Sequence, residues 1–538
     1  MIEHTISRQI EVSAERFKDK IALSFPAENL KMDFITLKKE VDLVSKALLG
    51  IGLKKGEHIG IWSTNSSRWI LLALSAAQIG VVFVPVNAAY QSKELAYIVR
   101  NMDVNYLFAM AQIHGKTCVD RLNVLYKDGQ INGEEFQALR DVYFMSDGSD
   151  NGWKNWDTFM EHAFRVTDEE LEKAKALVTS KDIYSMQCTS GTTAMPKGAR
   201  LYQSGVLYTA NCYAKLLHLD ESDISCVPLP LFHCFGNVLT LLGGLISGST
   251  TIYMGAFSAS GMLKLLQEEQ CTCMLGVPTM FTAMLAQPNF DSSKYFIKKA
   301  GMGGSYCPPA LAYAIKEKFH CQGMTVGYGL SEAASLVTLS DIYALEHSRL
   351  NTVGQPLPDF EVSLYDMETG QISQSLEQGE IICRGLGVMK DYYHNTEETS
   401  KAMDSDGWLH TGDIGCFDGE GYLRVIGRIK DIIVRGGENI SPSQIEALLL
   451  EVEEIQDVQC VGVPDKIHGE EVAAFVILKE KCQLSAEEIK SYVATHLASY
   501  KVPKYVFFVE HFPMSAAGKV MKQELSKLAE ERLKNTVA

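Results

Sequence analysis

Apolar residues in the N-terminal third of the chain alternate between two periods. In "FITLKKEVDLVSKALLGIGLKKGEHIGIWS" they fall at helical spacing, break at a Gly-rich turn and resume as a short β-like run. "WILLALSAAQIGVVFVPVN" repeats that order, helix then strand, and so does the region from Gly261 to Gly329. Stacked α/β layers joined by crossover helices require this grammar. From Glu361 to Asp431 the period shortens to strands separated by Gly and Asp turns, as in "EIICRG" and "FDGEGYLRVIGR", which predicts an antiparallel, β-barrel-like subdomain. After Asp431 come a helix "SPSQIEALLLEV", strands "VQCVGVP" and "EVAAFVILKE", a helix "SAEEIKSYVATHL" and a lysine-bearing loop. The expected fold class is α/β: a large N-terminal domain of stacked α/β layers with the barrel-like part, residues 1–429, and a small α+β C-terminal domain, residues 430–538. Gly427–Asp431, "GRIKD", is the expected joint. "DVYFMSDGSDNGWKNW" reads as a solvated surface loop.

Cys226 to Leu263 carries no Asp, Glu, Lys or Arg and has the length of a membrane span. Pro228, Pro230, Gly236, Gly243, Gly244, Gly248 and Gly255 interrupt it, so it reads as a buried helix followed by the strand "STTIYM". The 538 residues, 46% apolar, suffice for large cores. A formal charge of −16 disfavours a nucleic-acid surface and requires any anionic partner to be met by local positive charge. Thirteen scattered cysteines without a C-x-x-C pair suit a reducing compartment, and the acidic N-terminus lacks a signal-peptide run, so cytoplasm is the expected location.

The chemistry concentrates in "QCTSGTTAMPKGAR", Gln187 to Arg200. It is not the P-loop of nucleotide hydrolases, because Pro196-Lys197-Gly198 stands where that motif needs Gly-Lys-Ser/Thr. Successive Ser, Thr and Gly N–H groups in a tight turn still make an anion cradle, and a lysine adds a point charge for phosphate. Taken by composition alone, such a run reads equally well as a linker. Five stretches, each ordinary by itself, follow in order: "PLFH" at Pro230–His233, "GYGLSE" at Gly327–Glu332, "WLHTGD" at Trp408–Asp413, "GRIKDIIVRGGENI" at Gly427–Ile440 and "PMSAAGKV" at Pro513–Val520.

Together these stretches, in this order and over nearly the whole chain, resemble the adenylate-forming superfamily of acyl-CoA synthetases, adenylation domains and luciferases. "GVPTMFTAMLAQPNF" and "KDIIVRGGENI" look closest to its medium-chain fatty acyl-CoA synthetases. The resemblance implies an AMP-forming ligase. A carboxylate attacks the α-phosphorus of ATP to give an acyl-adenylate and pyrophosphate, and the thiol of CoA then displaces AMP. It implies Mg²⁺ and a catalytic set of Lys519, Glu332, Thr192 and His233. Thr189, Ser190, Gly191, Thr192, Thr193, Ala194, Met195, Pro196 and Lys197 would wrap the β- and γ-phosphates; Ala194 stands where the family usually has Gly. Tyr328 would stack on adenine and Ser331, in place of the commoner Thr, would approach the α-phosphate. Glu332 would hold the metal, and Asp413 with Arg428 the ribose.

By the same resemblance His233, Gly303, Gly304, Ser305 and Ala333 would border the acyl pocket, and Gly436, Gly437 and Glu438 the CoA channel. Lys430 would be the pivot that swings Lys519 out for the second half-reaction. No Arg or Lys stands in the pocket segments to pair with a second carboxylate, which favours a hydrophobic monocarboxylic acid, a linear one of medium length first and an aromatic one second. A stand-alone module that loads a separate carrier protein, a luciferase-like oxidation and a non-catalytic nucleotide-binding regulator are the competing classes; the retained Lys519, Glu332 and Asp413 speak against the last. The expected partners are small molecules, with a homo-oligomer left open, and neither nucleic acid nor a transmembrane segment is expected.

Overall fold

A computed structural model describes residues 4–113, 116–147, 153–189, 195–436, 438–514 and 520–537. Its helices begin where the sequence supplies caps. Asp33 accepts the Thr36 N–H at 2.6 Å to start Phe34–Gly50, whose Phe34, Leu37, Val41, Val44 and Leu48 form one buried stripe. Ser66 caps Ser67–Gln78 by accepting the Trp69 N–H, and in that helix only Arg68 is not buried. A helix apolar on all sides belongs inside a structure.

Two sheets flank that interior. Among the described residues, six strands pair in the spatial order Asp141–Phe144, Val104–Ala109, His58–Trp62, Val82–Val86, Ile183–Thr189, Lys197–Tyr202, all parallel except the last. A nine-stranded sheet has a parallel centre that includes Ile224–Val227, Cys273–Gly276, Lys299–Met302 and Gly323–Tyr328. Ile59, Phe83 and Phe108 of the first sheet share one core with Val227, Leu275 and Tyr328 of the second and with Leu72, Leu207 and Leu242 of the helices. The parallel strands leave their C-terminal ends on one edge, where an open α/β sheet presents its ligand crevice.

The helix-then-strand order expected from the sequence is present at Phe34–Trp62, Ser67–Val86 and Ala259–Tyr328. The charge-free stretch holds a helical segment Phe235–Ser247 followed by the strand Thr250–Tyr253, and no described helix is long and apolar enough to cross a membrane. Two expectations need correction. Glu361–Tyr365, Gly379–Arg384, Leu409–Phe417 and Leu423–Arg428 form a four-stranded antiparallel sheet in simple up-and-down order, and this sheet is open, not a barrel. One of its faces is covered by the main core through Val362, Leu364, Ile381 and Leu409, so it has no need to close on itself. The stretch taken as a solvated loop begins as the edge strand Asp141–Phe144, in which Val142, Tyr143 and Phe144 are buried against the six-stranded sheet. Its aromatic residues were the signal, masked by the Gly, Asp and Ser that follow.

Beyond residue 431 a five-stranded sheet and helices Pro442–Leu449, Ala486–His496 and Lys522–Val537 bury two clusters of their own, one around Ile445, Val458 and Val476 and one around Phe475, Phe512 and Leu525. The small unit therefore carries its own cores.

At the opposite, N-terminal edge of the nine-stranded sheet, the buried Lys299 Nζ lies 2.5 Å from Asp223 Oδ2 and donates to the His218 carbonyl, while Thr272 Oγ1 donates to Asp223 Oδ1. Removing one member of a buried, hydrogen-bonded pair strands the other without solvent. Asp223→Ala is expected to lower unfolding stability in urea by about 3–5 kcal/mol, whereas the joint replacement Asp223→Leu with Lys299→Met recovers most of the loss.

Candidate functional site

Thr189 ends one strand and Lys197 begins the next, and the two are paired across the antiparallel register. Ser190, Gly191, Thr192, Thr193 and Ala194, which fall between them in sequence, lie outside the described residues. The Thr189 hydroxyl is buried and has no hydrogen-bond partner among the described residues. Met195 is half-buried and Pro196 buried. Lys197 Nζ pairs with Glu398 and stands 4.7 Å from the centroid of the Tyr392 ring.

A second group forms where the strand Gly323–Tyr328 ends. The Tyr328 hydroxyl donates to Asp413 Oδ2 at 2.7 Å, and Arg428 Nε donates to Asp413 Oδ1 at 2.8 Å. Asp413 is 4% exposed, so both its oxygens are held in place by neighbours away from bulk water. Burial first, and then the Asp413 charge, push the Tyr328 phenol well above its ordinary range, which keeps it a donor. Four residues on, Glu332 is half-buried, its Oε1 accepting from the Tyr392 hydroxyl at 2.7 Å and its backbone oxygen accepting the Met389 N–H. An ionised carboxylate with one oxygen steadied in this way is a suitable donor to a hard divalent cation shared with phosphate oxygens, so the residues present fit Mg²⁺.

His233 precedes a π-helical turn, Phe235–Thr240, which the periodicity of the sequence did not disclose. Buried Asn237 organises this turn: its Nδ2 donates to the carbonyls of Leu231 and His233, and its Oδ1 accepts from Gln187 Nε2 at 3.3 Å. One amide thus ties the His233 turn to the strand Ile183–Thr189. Gly236 permits the close return of the chain, since a Cβ there would meet the Pro230 carbonyl at 2.5 Å.

Between these groups opens a cavity of about 880 Å³, counting its mouth. Near the mouth its wall contains His233, Gly303, Gly304 and Ser331; deeper it contains Leu275, Gly301, Thr325, Leu339, Tyr213 and Leu217. The sheet register explains the shape. Leu275, Gly301 and Thr325 are side by side on three parallel strands, with Val277, Gly303 and Gly327 two residues further along each. Because side chains alternate across a strand, glycines at 301 and 303 leave the middle strand bare on one face, a trench running down toward Lys299. A Cβ at 303 would come 3.0 Å from the Gly327 carbonyl, and one at 301 would come 2.8 Å from Leu275 Cδ2. Two residues expected at the pocket are not in its wall. Ser305 is exposed, and Ala333 is fully buried in the main core.

The remaining candidates belong to the C-terminal unit. Lys430 is exposed on the turn Ile429–Asp431 that follows Arg428. Gly436 has φ +60° and donates its N–H to the His468 carbonyl; Glu438 is exposed on the paired strand, and Gly437 lies outside the described residues. Lys519 is also outside them. Its flanks are held together by a bridge between Met514 and Val520, and Lys522 Nζ is 2.7 Å from Glu446 Oε1. The sequence reading passed over Asn237, Tyr392 and Glu398: an amide, a phenol and an acid of common type, whose importance comes only from neighbours distant in the chain.

Two family profiles match the chain, the AMP-binding enzyme over residues 10–393 and the AMP-binding enzyme C-terminal domain over residues 444–519. YngI of Bacillus subtilis (strain 168), whose name assigns it to the acyl-CoA synthetases, is 37% identical over 532 residues, covering 98% of this chain and 97% of its own. The mitochondrial medium-chain acyl-CoA ligase ACSF2 of Mus musculus is 31% identical over 547 residues, 99% of this chain and 89% of its own. In overall fold the chain is similar to the anthranilate CoA ligase AuaEII crystallised with anthranoyl-AMP, with a TM-score of 0.86, 24% identity and 99% of both chains covered.

The Lys197–Glu398 pair has a consequence that can be measured without any ligand. Hydrogen bonds from Lys197 and then Lys401 hold the Glu398 carboxyl down at about 2, against an ordinary value of 4.5. A depressed carboxyl stabilises the folded state above its unfolded value and loses that contribution as pH falls through its folded value. In urea titrations, the stability advantage of the native protein over Glu398→Gln is expected to be constant above about pH 5 and to vanish between there and about pH 2.

Proposed function

The chain belongs to the AMP-binding enzyme family, and from that premise we propose an ATP-dependent acyl-CoA synthetase acting on a hydrophobic monocarboxylic acid, a linear one of medium length. The observation that carries the substrate class is the trench at Gly301 and Gly303, apolar along its depth and opening beside His233 and Ser331. Its named wall contains no Arg or Lys, so a second carboxylate would have no counter-charge there. The names of the relatives agree with acyl-CoA formation: one is an acyl-CoA synthetase by name and the other a medium-chain acyl-CoA ligase. A flat aromatic acid is the second reading, supported by the width that two adjacent glycine rows, Gly303 and Gly327, give the mouth.

In this reading the acid lies along the trench with its carboxylate at the mouth. No base is needed, since the acid is already ionised near neutral pH. The difficulty is charge, because a carboxylate must approach a triphosphate, and cationic groups fixed at the reacting centre lower that barrier. Residues 189–197 receive the β- and γ-phosphates, with the Thr189, Thr192 and Thr193 hydroxyls and backbone N–H groups as donors and Lys197 as counter-charge. Asp413, steadied by Tyr328 and Arg428, accepts from the ribose hydroxyls, and the Tyr328 ring lies against adenine. Glu332 holds Mg²⁺, which when bound neutralises phosphate charge. His233, fixed through Asn237, orients the carboxylate at the junction of the two sites. Lys519 contacts the carboxylate and the bridging oxygen as pyrophosphate leaves. The unit from residue 430 onward then turns about Lys430, withdrawing Lys519 and bringing Gly436, Gly437 and Glu438 to the mouth for CoA. Thirteen cysteines, none of them joined in a disulfide, suit a reducing cytoplasmic setting.

The test is release of AMP and pyrophosphate across fatty, aromatic and dicarboxylic acids, with and without CoA. Straight-chain fatty acids of medium length are expected to give the highest kcat/KM, and Gly301→Val to shift that optimum to shorter chains, each lost methylene being worth about 1–3 kcal/mol. Activity confined to aromatic or dicarboxylic acids overturns the assignment of substrate, and thioester formation only on an added carrier protein overturns that of the acceptor. Lys519→Ala is expected to slow adenylation about a hundredfold, roughly 3 kcal/mol, while thioester formation from supplied acyl-adenylate stays near normal; equal loss in both assays removes the role.

A further inference from the structure

The proposed roles set a lysine and a glutamate, Lys197 and Glu332, around one triphosphate. Opposite charges that touch in a half-buried site attract by about 4 kcal/mol at 4 Å, and such a pair would close the space that nucleotide and metal have to enter. Among the described residues Lys197 and Glu332 do not pair with each other; each has another partner, and Tyr392 serves both. Its hydroxyl donates to Glu332 Oε1 at 2.7 Å, while the face of its ring lies 4.7 Å from Lys197 Nζ, whose charge is met by Glu398.

The ring is well held. Tyr392 is 7% exposed, its backbone bridges Ala199 on the strand that begins at Lys197, and its N–H donates to Thr399 Oγ1 on the helix Thr396–Ala402 that carries Glu398. The segment around it is stitched to the same strand, with Lys390 N–H donating to the Arg200 carbonyl and Tyr393 N–H to that of Gly198, while Met389 N–H donates to the Glu332 carbonyl. Strand, glutamate and helix therefore meet at this one phenol.

We propose that Tyr392 is a positioning residue that spaces the cation of the phosphate site from the carboxylate of the metal site, its ring carrying Lys197 and its hydroxyl orienting Glu332, so that both stay open to Mg²⁺ and ATP. This rests on the roles given above to Lys197 and Glu332. The hydroxyl acts on the metal ligand as outer-shell donors to ligating carboxylates do, and loss of such a donor typically costs ten- to a hundredfold in metal affinity. The ring acts on Lys197 through cation–π attraction and by filling the space between the two charges.

Calorimetric binding to the whole protein, without acid or CoA, separates this from simple core packing. Tyr392→Phe keeps the ring and removes one oxygen. It is expected to raise the Mg²⁺ concentration that half-saturates ATP binding about ten- to a hundredfold, with AMP affinity and melting temperature unchanged. Tyr392→Leu, which also removes the ring, is expected to reduce in addition the preference for ATP over AMP measured at saturating Mg²⁺. Glu332→Gln is the reference. If it alters Mg²⁺ dependence while Tyr392→Phe does not, the proposal is wrong and the metal role of Glu332 stands. If neither alters it, the metal role fails and the proposal with it. Equal loss of AMP and ATP binding in Tyr392→Phe, with a lower melting temperature, marks Tyr392 as packing alone and also overturns it.

Discussion

A chain with a formal charge of −16 that handles a triphosphate must keep positive groups in half-buried places without letting its own acids neutralise them for good. Desolvating an unpaired charge costs several kcal/mol, so each cation needs a carboxylate nearby in the free protein. The described cations around the proposed machinery obey this: Lys197 with Glu398, Arg428 with Asp413, Arg200 with Asp391, Arg435 with Glu471 and Lys522 with Glu446. The arrangement is a set of compensated pairs in fixed orientation, which in the proposed reading leaves a lysine already aimed at phosphate and carboxylates in place for metal and ribose.

The same constraint explains the traffic between remote segments. Glu398 and Tyr392 reach Lys197 across some two hundred residues of chain, and Asp413 reaches Tyr328 from another sheet. Strand ends deliver the backbone to the crevice, and antiparallel additions at the edges bring in the partners. Asn237 shows the economy of this packing: one buried amide sets the π-helical turn and the His233 backbone and joins them to the strand Ile183–Thr189. The acyl trench has a different origin. It comes from omission, two glycines on one face of a central strand.

Much of this was legible before any coordinates. Alternating periods announced the α/β layers, and His233, Gly303, Gly304 and Ser331 of the cavity wall stand among the residues the sequence singled out. Composition misled where local signals were weak. The Gly, Asp and Ser residues after Phe144 concealed an edge strand, and short strands with tight turns suggested a closed barrel where an open sheet leans on a larger core. Ser305 and Ala333, placed at the pocket by resemblance, are absent from the cavity wall, one being exposed and the other buried in the main core.

The sequence by itself determined the class of fold, the order of its elements and the kinds of group available for phosphate, metal and ribose, because hydrophobic period and residue chemistry are local properties. Which acid answers which base, that Gly301 lines up with Leu275 and Thr325 in the wall of a trench, and that Tyr392 stands between Lys197 and Glu332 were decided by tertiary structure alone. Those facts depend on strand register and on contacts between segments far apart in the chain, and neither leaves a periodic trace in the residues that make them.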